Sequence, residues 1–261
     1  MQTNHLYRVD GLSVVVTGAG SGIGRSCAIA MAESGASKIY ITGRRRELLV
    51  DTAEFINKQV SNCDVIAIDG DVTSIEWRQK FVREISSFGP LDILVNNAGI
   101  YHSTSFENTS DDELQQILKT NVESVFALTR DLLPALEQSN YPSVINIGST
   151  LSLRPIAQGS AYNIAKAAID HLTKSLAVEL GSRRIRVNCV SPGIVETPMY
   201  RARFPSDESY YEAIEEAKVW HPLGRVGTPE DIARSVVFLS SRAASWITGI
   251  ILPVDGGLLI S

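Results

Sequence analysis

Ser13-Val14-Val15-Val16-Thr17-Gly18-Ala19-Gly20-Ser21-Gly22-Ile23-Gly24 decides how the rest of the chain reads. The valines form a β-branched run suited to a buried strand. Glycines then recur at every second position from Gly18 to Gly24, and a helical pattern follows over residues 25–34, closed by Gly35. Strand, glycine loop and helix in that order make a cradle for phosphate. Small residues let the backbone approach a pyrophosphate, and the helix start offers free N–H groups and the positive end of its dipole. Gly18, Gly20, Ser21, Gly22, Ile23 and Gly24 are therefore candidates for holding a dinucleotide. The spacing is T-G-x-x-x-G-x-G, not G-x-G-x-x-G. A glycine-rich turn without ligand is the competing reading, and the strand–helix setting disfavours it.

The rest of the chain continues the alternation. Further strands are expected at 38–42, 64–68, 91–95, 144–147, 185–190 and 250–254. Helices are expected at 74–87, at 111–138 with Ser110 as its cap, and at 160–180 with Gly181 as its stop. Strands alternating with long helices predict one α/β domain over 1–261, a doubly wound parallel sheet of seven strands with helices on both faces. Ligands of such sheets lie at the carboxyl ends of the strands. The glycine loop, Asn96, Ser149 and Pro192 all follow strands directly.

With 44% hydrophobic and 20% charged residues the chain has the composition of an ordinary soluble globular protein. A formal charge of -5 argues against nucleic acid as the main partner. Cys27, Cys63 and Cys189 are widely spaced and show no C-x-x-C, so they read as reduced thiols. No leader of basic-then-apolar type opens the chain, and no apolar run approaches the ~18 residues of a membrane span. These features predict a cytoplasmic protein without membrane partners. His5, His102, His171 and His221 are scattered, read as surface or loop residues, and give no metal signature, although His102 is placed where it would border a pocket. A hydrolase built on Ser149 lacks the G-x-S-x-G elbow.

After the second strand comes Gly43-Arg44-Arg45-Arg46-Glu47. An acid at this point usually meets a free ribose 2′-hydroxyl, whereas arginine meets a 2′-phosphate. Gly43 holds the acidic position and Arg44 stands beside it. All three arginines also start the next predicted helix, where the dipole disfavours positive charge unless an anion offsets it. NADP(H) is the preferred cofactor, NAD(H) the alternative.

Tyr162 and Lys166 are four residues apart in the helical stretch Ser160-Ala161-Tyr162-Asn163-Ile164-Ala165-Lys166. That spacing puts both on one helix face. A nearby ammonium lowers the pKa of a phenol, and a drop of about three units corresponds to about 4 kcal/mol. Such a tyrosine serves as general acid or base on a carbonyl or alcohol. Two unrelated helical residues are the bland alternative.

Taken together these residues resemble the short-chain dehydrogenase/reductase family over nearly the whole chain. Thr17 to Gly24 is similar to its cofactor loop, Asn96-Asn97-Ala98-Gly99 to its N-N-A-G segment, and Ser149, Tyr162 and Lys166 to its catalytic core, with Asn121 at its helical asparagine. Pro192-Gly193 with Thr197 matches its nicotinamide-side turn, and Val254-Asp255-Gly256-Gly257 is typical of its C-terminus. The resemblance implies a Rossmann-type fold and an NAD(P)-dependent oxidoreductase that interconverts a ketone and a secondary alcohol. It implies that Tyr162 transfers the proton, Lys166 lowers its pKa and holds the ribose, Ser149 binds the substrate oxygen, and Asn121 holds a water that links Lys166 to solvent. Asp71 and Val72 would contact adenine, Asn97, Ala98 and Gly99 the adenosine side, and Val195 and Thr197 the carboxamide.

Residues 198–223 mix Tyr200, Phe204, Tyr210 and Trp220 with charges, which suggests a lid over a small-molecule substrate. Its arginines, Arg201 and Arg203, read as a solvated surface in preference to a carboxylate site. The resemblance allows 3-oxoacyl-carrier-protein reductase as an activity, but the uncharged Gln138-Ser139-Asn140 leaves carrier docking open. It further implies a homotetramer, with a dimer as second choice. An NAD-dependent alcohol dehydrogenase and a catalytically idle dinucleotide sensor are the alternatives.

Overall fold

The computed structural model describes residues 3–261. β1 (Ser13–Thr17) lies inside a seven-stranded sheet of order β3-β2-β1-β4-β5-β6-β7. Its partners are β2 (Lys38–Gly43), β3 (Asp64–Asp69), β4 (Ile93–Asn96), β5 (Ser143–Ile147), β6 (Arg186–Pro192) and β7 (Ile251–Val254), all parallel. The helices are α1 (Gly22–Glu33), α2 (Arg46–Gln59), α3 (Ile75–Ser87), α4 (Asp111–Leu118), α5 (Ser124–Leu136), α6 (Ser160–Leu180), α7 (Pro198–Arg201), α8 (Asp207–Val219) and α9 (Pro229–Ser240).

The two-residue period of β1 builds both layers of the core. Val14 and Val16 face Cys27, Ala28 and Met31 of α1, Leu49 and Ile56 of α2, and Ile232 and Val236 of α9. Val15 faces the other way, toward Phe81 and Ile85 of α3, Leu128 and Leu132 of α5, and Leu180 of α6. Side chains as large as Phe81 and Met31, fully buried, each stabilise the fold by roughly 1.5–3 kcal/mol. Between the layers runs a buried polar chain: Asn96 Nδ2 donates to Asn146 Oδ1 at 2.9 Å, and Asn146 Nδ2 donates to Thr173 Oγ1 at 2.9 Å. It ties the carboxyl ends of β4 and β5 to the middle of α6.

The expected elements are all present, with shifts that have local causes. β4 begins at Ile93, two residues late, because the Leu91 N–H donates to the Ala135 carbonyl and the Asp92 carboxylate takes the Ser13 N–H at 2.8 Å. The helix expected at 111–138 is interrupted by a π turn, Lys119–Glu123, with Asn121 at its centre. Arg44 and Arg45 do not start a helix. α2 begins at Arg46, and Arg45 is its extended N-cap. His221 lies in the loop between α8 and α9, as the loop reading allows, but is buried, with Nδ1 against the Ala217 carbonyl at 2.6 Å.

Candidate active site

A cleft of about 820 Å³ opens along the carboxyl edge of β1 to β4. Of the residues the sequence marked for a cofactor, Gly18, Gly20, Ser21, Gly22, Ile23, Arg44, Asp71, Val72, Asn97, Ala98, Gly99 and Thr197 line it. Gly18 adopts a left-handed φ of +67°, and a Cβ there would stand 2.8 Å from Asn97 Nδ2. That amide donates to the Thr17 carbonyl at 2.8 Å, tying the glycine loop to the end of β4. Ser21 caps α1 without spending its side chain on the helix, so the first N–H groups of α1 stay free toward the cleft. A pyrophosphate fits this cradle, and Arg44, with no ion-pair partner among the described residues, lines the same cleft.

Gly24, Tyr162, Lys166, Pro192, Gly193 and Val195 do not line the cleft; Gly24, Gly193 and Val195 pack behind it and hold it in place. A Cβ on Gly24 would lie 2.3 Å from the Gly18 carbonyl oxygen, and one on Gly193 would lie 2.9 Å from Asp255 Cα. Val195 is buried and pairs with Gly227 in an isolated bridge. Thr197 caps α7 by accepting the Tyr200 N–H at 3.2 Å. Asp71 closes its own turn, its Oδ1 accepting both the N–H and the hydroxyl of Thr73 at 2.8 Å.

Tyr162 and Lys166 rise from one face of α6 beside the end of β5, and Ser149 follows that strand. Ser149 is buried, and its Oγ accepts the Leu151 N–H at 3.2 Å, which leaves its own proton free to donate. The strand-end cap and a substrate contact are thus compatible. Burial pushes the Tyr162 phenol above its ordinary value, while the Ser149 side chain and the Arg203 charge pull the other way. Burial pushes Lys166 down to about 8, opposed by Cys189 and Asp170. Lys166 Nζ lies 5.5 Å from the Tyr162 ring centre and donates to the Ile147 carbonyl at 2.7 Å. The expected lowering of Tyr162 by Lys166 is therefore not what this geometry gives. Desolvation outweighs a cation that is turned toward a strand-end carbonyl.

Asn121 is 1% exposed, and both ends of its amide bind the backbone of Ile100. Its first task is to brace the turn that carries Gly99 into the cleft. Three contributors escaped the sequence reading. Arg45 reaches across the cleft mouth, its Nη2 donating to Ser21 Oγ at 3.2 Å. Tyr101 packs edge-on against Tyr162 with ring centres 5.0 Å apart. Asp170 stands one turn beyond Lys166, its Oδ2 accepting the Ser152 hydroxyl at 2.5 Å and its charge raising the Lys166 pKa. Two left a signal: Arg45 stands in the arginine run after the second strand, and Tyr162, Lys166 and Asp170 repeat at four-residue spacing.

The family described as enoyl-(acyl carrier protein) reductase matches residues 18–259. Galactitol 2-dehydrogenase of Rhizobium johnstonii is 37% identical over 262 residues, covering 98% of this chain and 98% of that protein. Versicolorin reductase stcU of Emericella nidulans is 34% identical over 264 residues, with 98% and 99% covered. Among solved structures, the Pseudomonas aeruginosa RhlG/NADP active-site complex superposes with a TM-score of 0.89 at 32% identity, covering 98% of this chain and 99% of that one. With its parallel seven-stranded sheet and its Ser149, Tyr162 and Lys166 cluster at the edge, the chain belongs to the short-chain dehydrogenase/reductase family of oxidoreductases. Among the described residues no helix is long and apolar enough to cross a membrane.

Proposed function

We propose that the protein is an NADP(H)-dependent oxidoreductase that interconverts a ketone and a secondary alcohol, with Tyr162 as the proton-transfer group. The observation that carries this reading is the clustering of Ser149, Tyr162 and Lys166 beside the end of β5, on the same carboxyl edge of the sheet as a cleft that presents Arg44. When bound, the nicotinamide supplies or accepts the hydride. In the reductive direction the Tyr162 hydroxyl gives its proton to the substrate oxygen. The free Ser149 proton donates to that same oxygen and steadies the charge that develops there. Lys166 keeps a positive charge under the phenol and holds the cofactor ribose. Asn121 holds the π turn and the Gly99 turn together, and a water on this turn would pass protons between Lys166 and solvent. The NADP named in the RhlG structure supports the cofactor assignment, as does the absence of an acid at Gly43.

The test is initial rates with a panel of ketones and alcohols, using NADPH and NADH in parallel. Tyr162→Phe should lower kcat by about 10²–10⁴-fold. Arg44→Ala should raise the KM for NADPH by about tenfold or more, the worth of a charge-assisted hydrogen bond, and should leave NADH nearly unaffected. Equal use of the two cofactors, unmoved by Arg44→Ala, selects the NAD-dependent alcohol dehydrogenase. Turnover that survives Tyr162→Phe removes the mechanism, and cofactor binding without any turnover selects the idle sensor.

The same reading places the protein in the cytoplasm, on the strength of three unpaired buried cysteines, and assembles it as a homotetramer. Phe126 on α5 and Ile164 and Val178 on α6 are large apolar side chains left exposed on the two long helices. Light scattering behind size exclusion gives the mass, and a monomer would contradict the assembly.

A further inference from the structure

The two lid arginines, alike in sequence, have different fates. Arg201 is committed, donating to Asp207 Oδ1 through Nε at 2.7 Å and to the Phe204 carbonyl at 2.9 Å. Arg203 has no carboxylate partner among the described residues. Arg203 is exposed, and its guanidinium lies over the Tyr101 ring at 4.8 Å and over the Tyr200 ring at 5.3 Å, so it is held beside the aromatic side chains and does not extend away from them. Stacking engages only the faces of a guanidinium; its N–H edge stays available for a bidentate acceptor.

Tyr101 supplies a second, independent observation. Its hydroxyl oxygen is buried and has no hydrogen-bond partner among the described residues. Leaving such a group unpaired is unfavourable, and a ligand oxygen would restore its partner. Its ring meets the Tyr162 ring edge-on at 5.0 Å, so this orphaned hydroxyl and the Arg203 cation flank the group that handles the substrate oxygen. The Arg203 charge lowers the Tyr162 phenol, against burial and the Tyr101 hydroxyl, which raise it. Arg203 also stays clear of the residues lining the dinucleotide cleft, so it is not spoken for by a cofactor phosphate.

We propose that Arg203 and Tyr101 form a carboxylate subsite and that the substrate is a short oxo acid, or the hydroxy acid it becomes, with its carboxylate a few bonds from the reacting carbon. This rests on Tyr162 being the proton-transfer group. The guanidinium edge takes the carboxylate by paired N–H donors, and the Tyr101 hydroxyl donates to one of its oxygens. The carboxylate passes through turnover unchanged. In reduction the carbonyl carbon gains the hydride of the reduced dinucleotide, its oxygen gains the Tyr162 proton, and solvent returns that proton to Tyr162. Arg203 is in this account a specificity residue that orients the carbonyl toward Tyr162.

The experiment compares pyruvate, acetoacetate and levulinate, each against its methyl ester, as the ratio of kcat/KM for acid over ester. The wild-type ratio for at least one pair should exceed about tenfold, as expected for a charged hydrogen-bonded contact. Arg203→Gln should bring that ratio to within about threefold of unity, acting mainly through KM for the acid, and Tyr101→Phe should lower it part of the way. Arg201→Gln, whose guanidinium is already paired, should leave the ratio as it is. A wild-type ratio near unity in all three pairs, or one that Arg203→Gln does not move, overturns the subsite while leaving Tyr162-dependent reduction standing. Absence of any Tyr162-dependent turnover overturns the reductase reading instead. The subsite is then decided by intrinsic fluorescence titration with butyrate and butyramide. Binding of butyrate that exceeds butyramide and is lost in Arg203→Gln sustains it, and equal binding of the two refutes it.

Discussion

Asn121 and Ile100 exchange two hydrogen bonds across 21 positions of sequence: the Ile100 N–H donates to Asn121 Oδ1 and Asn121 Nδ2 donates to the Ile100 carbonyl, both at 2.8 Å. A side-chain amide here plays the part of a neighbouring strand for a single residue just beyond β4. The π turn that bears Asn121 is what swings it toward that residue, and wide turns of this kind collect at functional sites. Asn121→Ala should strip both backbone groups of Ile100 of their partners in a half-buried setting at the cleft wall. The expected loss is about 1–2 kcal/mol of stability, together with weaker cofactor binding as the Gly99 turn loosens. Denaturant melts and a cofactor titration check this, and a variant as stable as wild type would show that the brace is dispensable.

Lys166 sets the pH behaviour. Under the proposed mechanism, reduction needs Tyr162 protonated and Lys166 charged. Tyr162 is raised by burial and stays protonated throughout the neutral range. Lys166 then limits the rate, which should be level at lower pH and fall as pH rises through about 8. Asp170 holds Lys166 up, so Asp170→Asn should move that fall to lower pH without abolishing turnover; a shift to higher pH would contradict its positioning role. The folded value lies below the ordinary 10.5, so the charged lysine weakens the fold below about pH 8 and the penalty lifts as pH climbs from 8 toward 10.5. Lys166→Met should accordingly raise Tm at neutral pH, by something on the order of 1–3 kcal/mol in stability, while removing activity. A lower Tm in that variant would mean that the Ile147 contact outweighs the desolvation.

Gly24 offers a test of the glycine loop that does not depend on catalysis. Its Cβ position is 2.3 Å from the Gly18 carbonyl oxygen and 2.4 Å from Asn97 Nδ2, whereas that of Gly20 meets nothing closer than Leu48 Cβ at 3.1 Å. Gly24→Ala should therefore push the loop away from the end of β4, costing about 1–3 kcal/mol and weakening dinucleotide binding, with Gly20→Ala the milder of the two. Thermal melts and a fluorescence titration with NADPH give both numbers. Indistinguishable variants would mean the loop has slack that the packing does not suggest.

Much of this site is written locally in the chain. The strand–glycine–helix order over residues 13–34 located the phosphate cradle, because a tight turn that opens a helix is a property of neighbouring residues. The parallel sheet of seven strands likewise followed from helices long enough to cross over between parallel neighbours, whereas the strand order became visible only in the fold. Distances between side chains were not local. Four-residue spacing puts Tyr162 and Lys166 on one face, but it is silent on where the ammonium turns, and the Ile147 carbonyl on β5 claims it. Burial is a sum over the whole fold, which is why the phenol is raised although a lysine stands one turn away. Arg203 looked like Arg201 for the same reason: Asp207 lies near both in sequence, and only folding shows which one it pairs with. Asn96 and Asn97 are adjacent and identical, yet the first turns into the sheet toward Asn146 and the second toward Thr17.

The stretch proposed as a lid, residues 198–223, shares a small apolar nucleus with its two flanks. Tyr210, Ile214, Ala217 and Val226 are buried together, with Ile194, Tyr200 and Phe204 packed against them, apart from the two layers that sandwich the sheet. Taken with those flanks, the segment is a cassette. Exchanging it for the corresponding stretch of a relative should change which carbonyl compounds are accepted while the hydride-transfer machinery below stays intact, and this modularity gives selection a way to diversify such enzymes without risking the scaffold.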